Sequence, residues 1–126
     1  MKEVLRARLP AELQSADLRQ ALDAYQRGWG FSLEQHIPGV FAVLRRESVT
    51  VHLSQRRSDE PLSLLACRLL VDRVDDWTTL VSAPGQSRQR LTAQGWGREF
   101  GLSDGDGNRL LLVQSAPHAI RRRARV

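Results

Sequence analysis

A chain of 126 residues, 41% hydrophobic and 26% charged, is long enough for one compact unit, or for two small halves sharing a core, and has an ordinary globular composition. No apolar run approaches the roughly 20 residues of a membrane span, and the start MKEVLRARLP lacks the apolar stretch of a secretory leader, so neither a membrane role nor export is expected. The single Cys67 excludes an internal disulfide and fits a cytoplasmic setting, while the formal charge of +5 resolves into a basic tail (Arg121, Arg122, Arg123, Arg125) on a body with 15 Lys and Arg against 14 Asp and Glu.

Residues 4–14 read as a first strand interrupted by Pro10, which suits an edge strand or one that crosses to a partner. Ser15 is the expected cap of a helix over 16–27, in which Leu18, Ala21, Leu22 and Tyr25 recur at i, i+3, i+4 and i+7. Gly28 and Gly30 end that helix and drop Trp29 and Phe31 onto the core. Strands follow at 31–36, 39–45 and Val49–Gln55, with Glu47 and Ser48 at a turn. The polar segment 56–61 is the linker candidate. The pattern then restarts, with a strand at 62–71, a short helix at 74–81, a polar loop at 82–90 and a short strand at 91–94.

The closing stretch 95–114 reads as a β-hairpin. Trp96, Arg98, Phe100 and Leu102 alternate with Gly97, Glu99 and Gly101, a period of two that assigns the aromatics and Arg98 to one face. The turn SDGDGN at 103–108 supplies the Asp, Gly and Asn that accept positive φ. Residues 41–55 can be laid over 98–114, each a strand, an acidic turn and a strand reaching Gln55 or Gln114. The expected architecture is therefore α+β: two βαβββ modules, 1–56 and 57–117, joined around a shared cup, with a basic tail at 118–126. A half this small cannot bury its own apolar face.

The strand Trp96-Gly97-Arg98-Glu99-Phe100 before the turn Asp104-x-x-Gly107-Asn108 resembles the last hairpin of the vicinal-oxygen-chelate superfamily (glyoxalase, bleomycin resistance, extradiol dioxygenase), and within it the bleomycin-resistance branch. The resemblance covers nearly the whole chain before the tail. It implies paired βαβββ modules and a homodimer that exchanges its first strand. Enzymes of that superfamily hold a divalent metal with one residue from each of four strands, and the matching positions here are Pro10, His52, Ala66 and Leu111. A frame shift of two would bring in Glu12 or Gln14. An open catalytic metal site needs about three side-chain ligands, so no metal and no cofactor are expected.

Other catalytic signals are missing. Ser54, Ser63 and Ser103 lack the elbow of a serine hydrolase, and Cys67 sits in an apolar strand as a small hydrophobe. Gly105 and Gly107 make a turn rather than a phosphate loop, and Asp75 and Asp76 start a helix. Nucleic-acid binding is not expected, because the tail arginines come without a recognition motif.

What remains is a pocket. An aromatic ring beside a guanidinium stacks a planar ligand and bonds its edge, so the candidate ligand-binding residues are Trp96, Arg98, Phe100, Phe41 and His52. The glycines around Trp96 are read as leaving room for a close approach. The resemblance implies that Trp96 stacks on the flat rings of a drug, a glycopeptide antibiotic in the branch, in a crevice between two subunits. Two other aromatic positions of that branch fall on Gln35 and Val40, beside Phe41, and the branch is acidic where this body is neutral. The reading is a non-catalytic small-molecule binding protein. The alternative is a metal-dependent enzyme of the same superfamily, of glyoxalase, thiol transferase or dioxygenase type.

Overall fold

The computed structural model describes residues 2–7 (backbone), 10–61 and 65–116. The expected basic tail at 118–126 lies outside the described residues. The elements in order are β1 (Lys2–Ala7), β2 (Ala11–Ser15), α1 (Leu18–Arg27), β3 (Ser32–Ile37), β4 (Phe41–Arg46) and β5 (Val49–Gln55). They continue as β6 (Leu65–Leu70), a 3-10 helix (Val74–Trp77), β7 (Ser87–Arg88), β8 (Thr92–Gln94), β9 (Gly97–Ser103) and β10 (Arg109–Ser115). None of the described helices is long and apolar enough to cross a membrane.

The chain is α+β, with two sheets. One runs β2-β5-β4-β3 and the other β1-β6-β10-β9-β7, with β8 also on β9. In each, the strand that precedes the helix pairs parallel with the last strand of its half: β2 with β5, and β6 with β10. A parallel pair needs a long crossover, which α1 supplies in the first sheet and the 3-10 segment with its following loop in the second. The stretch read as one first strand is two. Pro10 has no N–H to give to a ladder, and it stands at the break between β1, which pairs with β6, and β2, which pairs with β5.

Residues of both sheets meet in one core. Leu13, Leu44, Val51 and Leu53 from the first and Cys67, Leu69, Phe100, Leu102, Leu110 and Leu112 from the second belong to a single buried cluster. Helix α1 adds the stripe Leu18, Ala21, Leu22 and Tyr25, all buried. An aromatic run continues it. Tyr25 and Trp29 lie edge to face at 5.0 Å and Tyr25 and Phe31 at 5.5 Å, while Phe31 and Trp77 meet in a tilted pair at 5.9 Å. Arg46 stands 4.4 Å over the Trp77 ring and donates to the carbonyls of Trp29 and Asp76, both at 2.8 Å. These ties cross from one half to the other.

Local chemistry explains where the elements differ from expectation. The cap of α1 is Asp17, not Ser15: its extended backbone lets the carboxylate accept from Gln20 N at 3.2 Å, while Ser15 ends β2 and accepts from Asp17 N. The second helix is a single 3-10 turn, because the Arg88 guanidinium takes the carbonyls of Thr78 (2.6 Å) and Leu80 (2.9 Å) that a continuing helix would use. The loop expected at 82–90 contains β7, and Leu91 precedes β8 rather than belonging to it.

The overlaid glutamines do the same job. Gln55 Oε1 accepts the backbone N–H of Leu18, the first residue of α1, at 2.8 Å, and Gln114 Oε1 accepts that of Val74, the first residue of the 3-10 helix, at 2.8 Å. Each final strand thus caps the helix of its own half. The turn 104–108 does the joining. Asp104 Oδ1 accepts from Asp106 N (3.0 Å) and Asn108 N (2.9 Å), which closes the hairpin, and Gly107 takes the positive φ of 92°. The same turn then reaches outward. Asn108 Nδ2 donates to Gln14 O in β2 at 2.8 Å, its Oδ1 accepts from Leu65 N in β6 at 3.4 Å, and Asp106 Oδ1 accepts from Ala16 N at 2.9 Å.

Candidate functional site

Strand alternation sends every second side chain away from the shared core, onto what is here called the distal face. On β5, Val49, Val51 and Leu53 are core, so Thr50, His52 and Ser54 are distal. On β4, Ala42 and Leu44 are core, so Phe41 and Val43 are distal; on β2, Ala11 and Leu13 are core, so Glu12 and Gln14 are distal. The registers align these into two rows across three neighbouring strands. One is Glu12, His52 and Val43; the other is Gln14, Ser54 and Phe41. Together with Leu13 and Leu65 they line a cavity of about 340 Å³, from which only Val43 is absent.

The structure therefore brings Phe41 and His52 together, both half-buried, on one wall. It does not bring the other three candidates to them within one chain. Trp96 is 44% exposed in the turn between β8 and β9, where its carbonyl accepts from Ala116 N at 2.8 Å. Phe100 is a core residue, 3% exposed. Arg98 shares the core-side face of β9, where it grips Asp75 with both terminal nitrogens, at 2.9 and 2.8 Å. That bond and the guanidinium charge hold the Asp75 carboxyl below the usual carboxylate range. The alternation that groups Arg98 with Phe100 is right in parity, but the face is the one that packs inward.

Gly97 also has a reason other than an approaching ligand. Its φ is +153°, and a Cβ there would overlap the Gln114 carbonyl oxygen of the paired strand. The glycine serves the close approach of β9 to β10.

In the second sheet the distal face carries Ala66, Arg68, Leu111, Val113 and Glu99. Arg68 and Glu99, on either side of β10, form an ion pair at 3.1 Å. Leu111 is the register partner of Arg68, just as His52 is of Glu12. The donor set does not fit a divalent ion. Ala66 and Leu111 offer no lone pair, Pro10 no side-chain donor, and among the described residues no three His, Cys, Asp or Glu side chains converge. Sequence reading gave Glu12 only as a frame shift. The signal that finds it is its pairing with His52 in the β2–β5 register, which is not legible before the strands are paired.

A second buried polar cluster lies on the core side. Asp104, 5% exposed, accepts from Tyr25 Oη at 2.8 Å and from Asn108 Nδ2 at 3.1 Å. Burial pushes its carboxyl above the usual range, against the pull of the Asn108 and Tyr25 donors. Burial, with the Asp104 charge behind it, pushes the Tyr25 hydroxyl well up. These groups fasten α1 to the 104–108 turn.

No protein-family model matches the chain, and no curated protein does. Solved structures share its fold. TnmS3, an antibiotic binding protein from Streptomyces sp. CB03234, is 26% identical over 83% of this chain and 92% of its own, with a TM-score of 0.65. A bleomycin-binding protein complexed with bleomycin is 22% identical over 85% of this chain and 97% of its own, with a TM-score of 0.68. A lactoylglutathione lyase from Agrobacterium tumefaciens is 15% identical over 90% of this chain and 92% of its own, with a TM-score of 0.63.

Proposed function

We propose, from the premise that this chain has the vicinal-oxygen-chelate fold in the form the bleomycin-resistance proteins take, that it is a non-catalytic binding protein sequestering a planar or aromatic small molecule of the antibiotic class. The observation that carries this reading is Trp96. Two of the three tryptophans are fully buried, whereas Trp96 is 44% exposed in a tight turn, at the position the resemblance gives to ring stacking. The distal cavity at Phe41 and His52 supplies a second surface, an aromatic ring among the hydrogen-bonding side chains of Gln14, His52 and Ser54.

In this reading the protein is a cytoplasmic homodimer. The modules 1–56 and 57–117 of one copy face those of the other, and the ligand occupies the crevice between them, reached by Trp96 from one copy and Phe41 from its partner. Strand β1 is attached to β2 by only residues 8–10, and its parallel pairing on the edge of β6 is one that a second copy's β1 can make equally well. Arg98 and Phe100 then act from behind, by fixing the strand that presents Trp96. The competing reading, a metal-dependent enzyme, lacks donors at Ala66 and Leu111; a stoichiometric, tightly held divalent ion in purified protein would favour it.

The test is a titration with bleomycin-type drugs and other planar antibiotics, read by tryptophan fluorescence and thermal shift. Because Trp29 and Trp77 are buried, quenching reports on Trp96. A bound ligand at 100 times its dissociation constant adds about 2.7 kcal/mol to stability, a readily seen shift. Trp96→Ala is expected to abolish binding while leaving the fold and the two-chain mass by light scattering unchanged. Neither quenching nor stabilisation across such a panel sinks the proposal.

A further inference from the structure

We infer that the flat molecule stacked on Trp96 is an anion, its charged edge held by the arginines of the segment that follows β10; this rests on the binding function proposed above. The last described residue, Ala116, donates its N–H to the Trp96 carbonyl at 2.8 Å, one step beyond the register pair of Ser115 and Gly97. The chain after it therefore starts one strand spacing, about 4.8 Å, from the backbone that carries the exposed indole. Arg121 comes five residues past that point and Arg125 nine. Fully extended, those stretches span at most about 18 and 32 Å, so all four guanidiniums are tethered close to the ring.

The two stretches of chain that meet at Trp96 do nothing to offset them. Residues 91–97, which hold β8 and the turn bearing the indole, have no charged side chain, and 113–126 have no acidic one. The acids tied to β9, the strand that follows Trp96, are already engaged. Asp75 is gripped by Arg98 at 2.9 and 2.8 Å, and Glu99 pairs with Arg68 at 3.1 Å. The charge around the ring is therefore set by the four arginines. A guanidinium suits the task, because it is planar, lies against an aromatic face and forks onto a carboxylate, sulfonate or phosphate. A short tether gives it an effective concentration in the millimolar range, so even a weak ion pair made there shifts affinity. A cation on the same ring would meet like charge.

The test titrates the full-length protein at low salt with three probes that share one flat ring system: naphthalene-2-sulfonate, naphthalene-2-sulfonamide and 2-naphthylmethylamine, followed by NMR line broadening of the probe. The sulfonate is expected to bind about tenfold more tightly than the amine, with the neutral sulfonamide between them. Replacing Arg121, Arg122, Arg123 and Arg125 together by Gln should bring the three to near-equal affinity, as should about 1 M salt, where charges are screened beyond about 3 Å. Trp96→Ala should weaken all three, and thermal melts check that both variants fold. Sulfonate binding undiminished by Trp96→Ala, or a sulfonate preference that survives the four glutamines, overturns the inference, since ring and arginines then act apart. Equal affinities in the wild type, or a preference for the amine, overturn it too and leave the binding function standing. If none of the probes binds while a planar antibiotic does, a flat anion is not the occupant and the inference fails; if the antibiotics fail as well, the parent reading falls with it.

Discussion

Asp104 and Asp75 are both acids held by hydrogen bonds, yet they respond to pH in opposite directions. Asp75 is exposed and its folded value is lowered by Arg98, so its contribution to stability is present above the unfolded carboxylate range and fades as pH falls through the folded value. Asp104 is buried and its folded value is raised, so the folded state takes up a proton more readily than the unfolded chain. Its contribution is therefore fullest below the unfolded value and is lost as pH rises through the folded one. Comparing urea unfolding of the wild type with Asp104→Asn from neutral to mildly acid pH should show the wild type gaining on the variant as pH falls. A constant gap between them would refute the assignment. Asp104→Ala, which strands the Tyr25 hydroxyl and two turn N–H groups, should cost about 2–4 kcal/mol at neutral pH and more as pH falls, by the same linkage. Sequence could locate Asp104 in a turn and Arg98 on a face. It could not supply the partner of either, because periodicity gives the parity of a side chain and not what stands opposite.

At the scale of elements, the equivalence of Gln55 and Gln114 was visible in the overlay of the two halves, and their shared task was not. Gln55 holds more: besides accepting from Leu18 N, its Nε2 donates to the carbonyls of Ser15, Ala16 and Arg56, at 3.4, 2.8 and 3.0 Å. Gln114 makes one such bond, to Val74 N. Gln55→Ala should therefore cost about 2–3 kcal/mol and Gln114→Ala about 1–2, as read from denaturant midpoints. An inverted order would mean that the helix start, rather than the bond count, sets the loss. The amphipathic spacing of α1 made it legible, since four buried residues fall at helical intervals. The 3-10 turn after β6 was over-read as a longer helix, because its early end depends on Arg88, ten residues downstream of Thr78. Two-residue β7 has no periodicity to detect.

Across the molecule, the inference that neither half can bury its own apolar face follows from size alone, and the single core spanning both sheets agrees with it. Residues 65–116 prepared alone should accordingly show no cooperative thermal melt by circular dichroism and poor dispersion in proton NMR. A sharp transition in that fragment would contradict a shared core. The sheet order was within reach because each half repeats strand, helix and strands. The cavity was not, because it is built from registers between β2, β5 and β4 that distant stretches of chain must set together.

Asn108 connects these scales. Its amide group touches a strand of each sheet, Gln14 in β2 and Leu65 in β6, and both of those residues border the cavity. A carboxamide one methylene from the main chain is thus the fulcrum between two plates. Anything that wedges the bowl wider must lever against it, so the rim can flex while the angle at its base stays set.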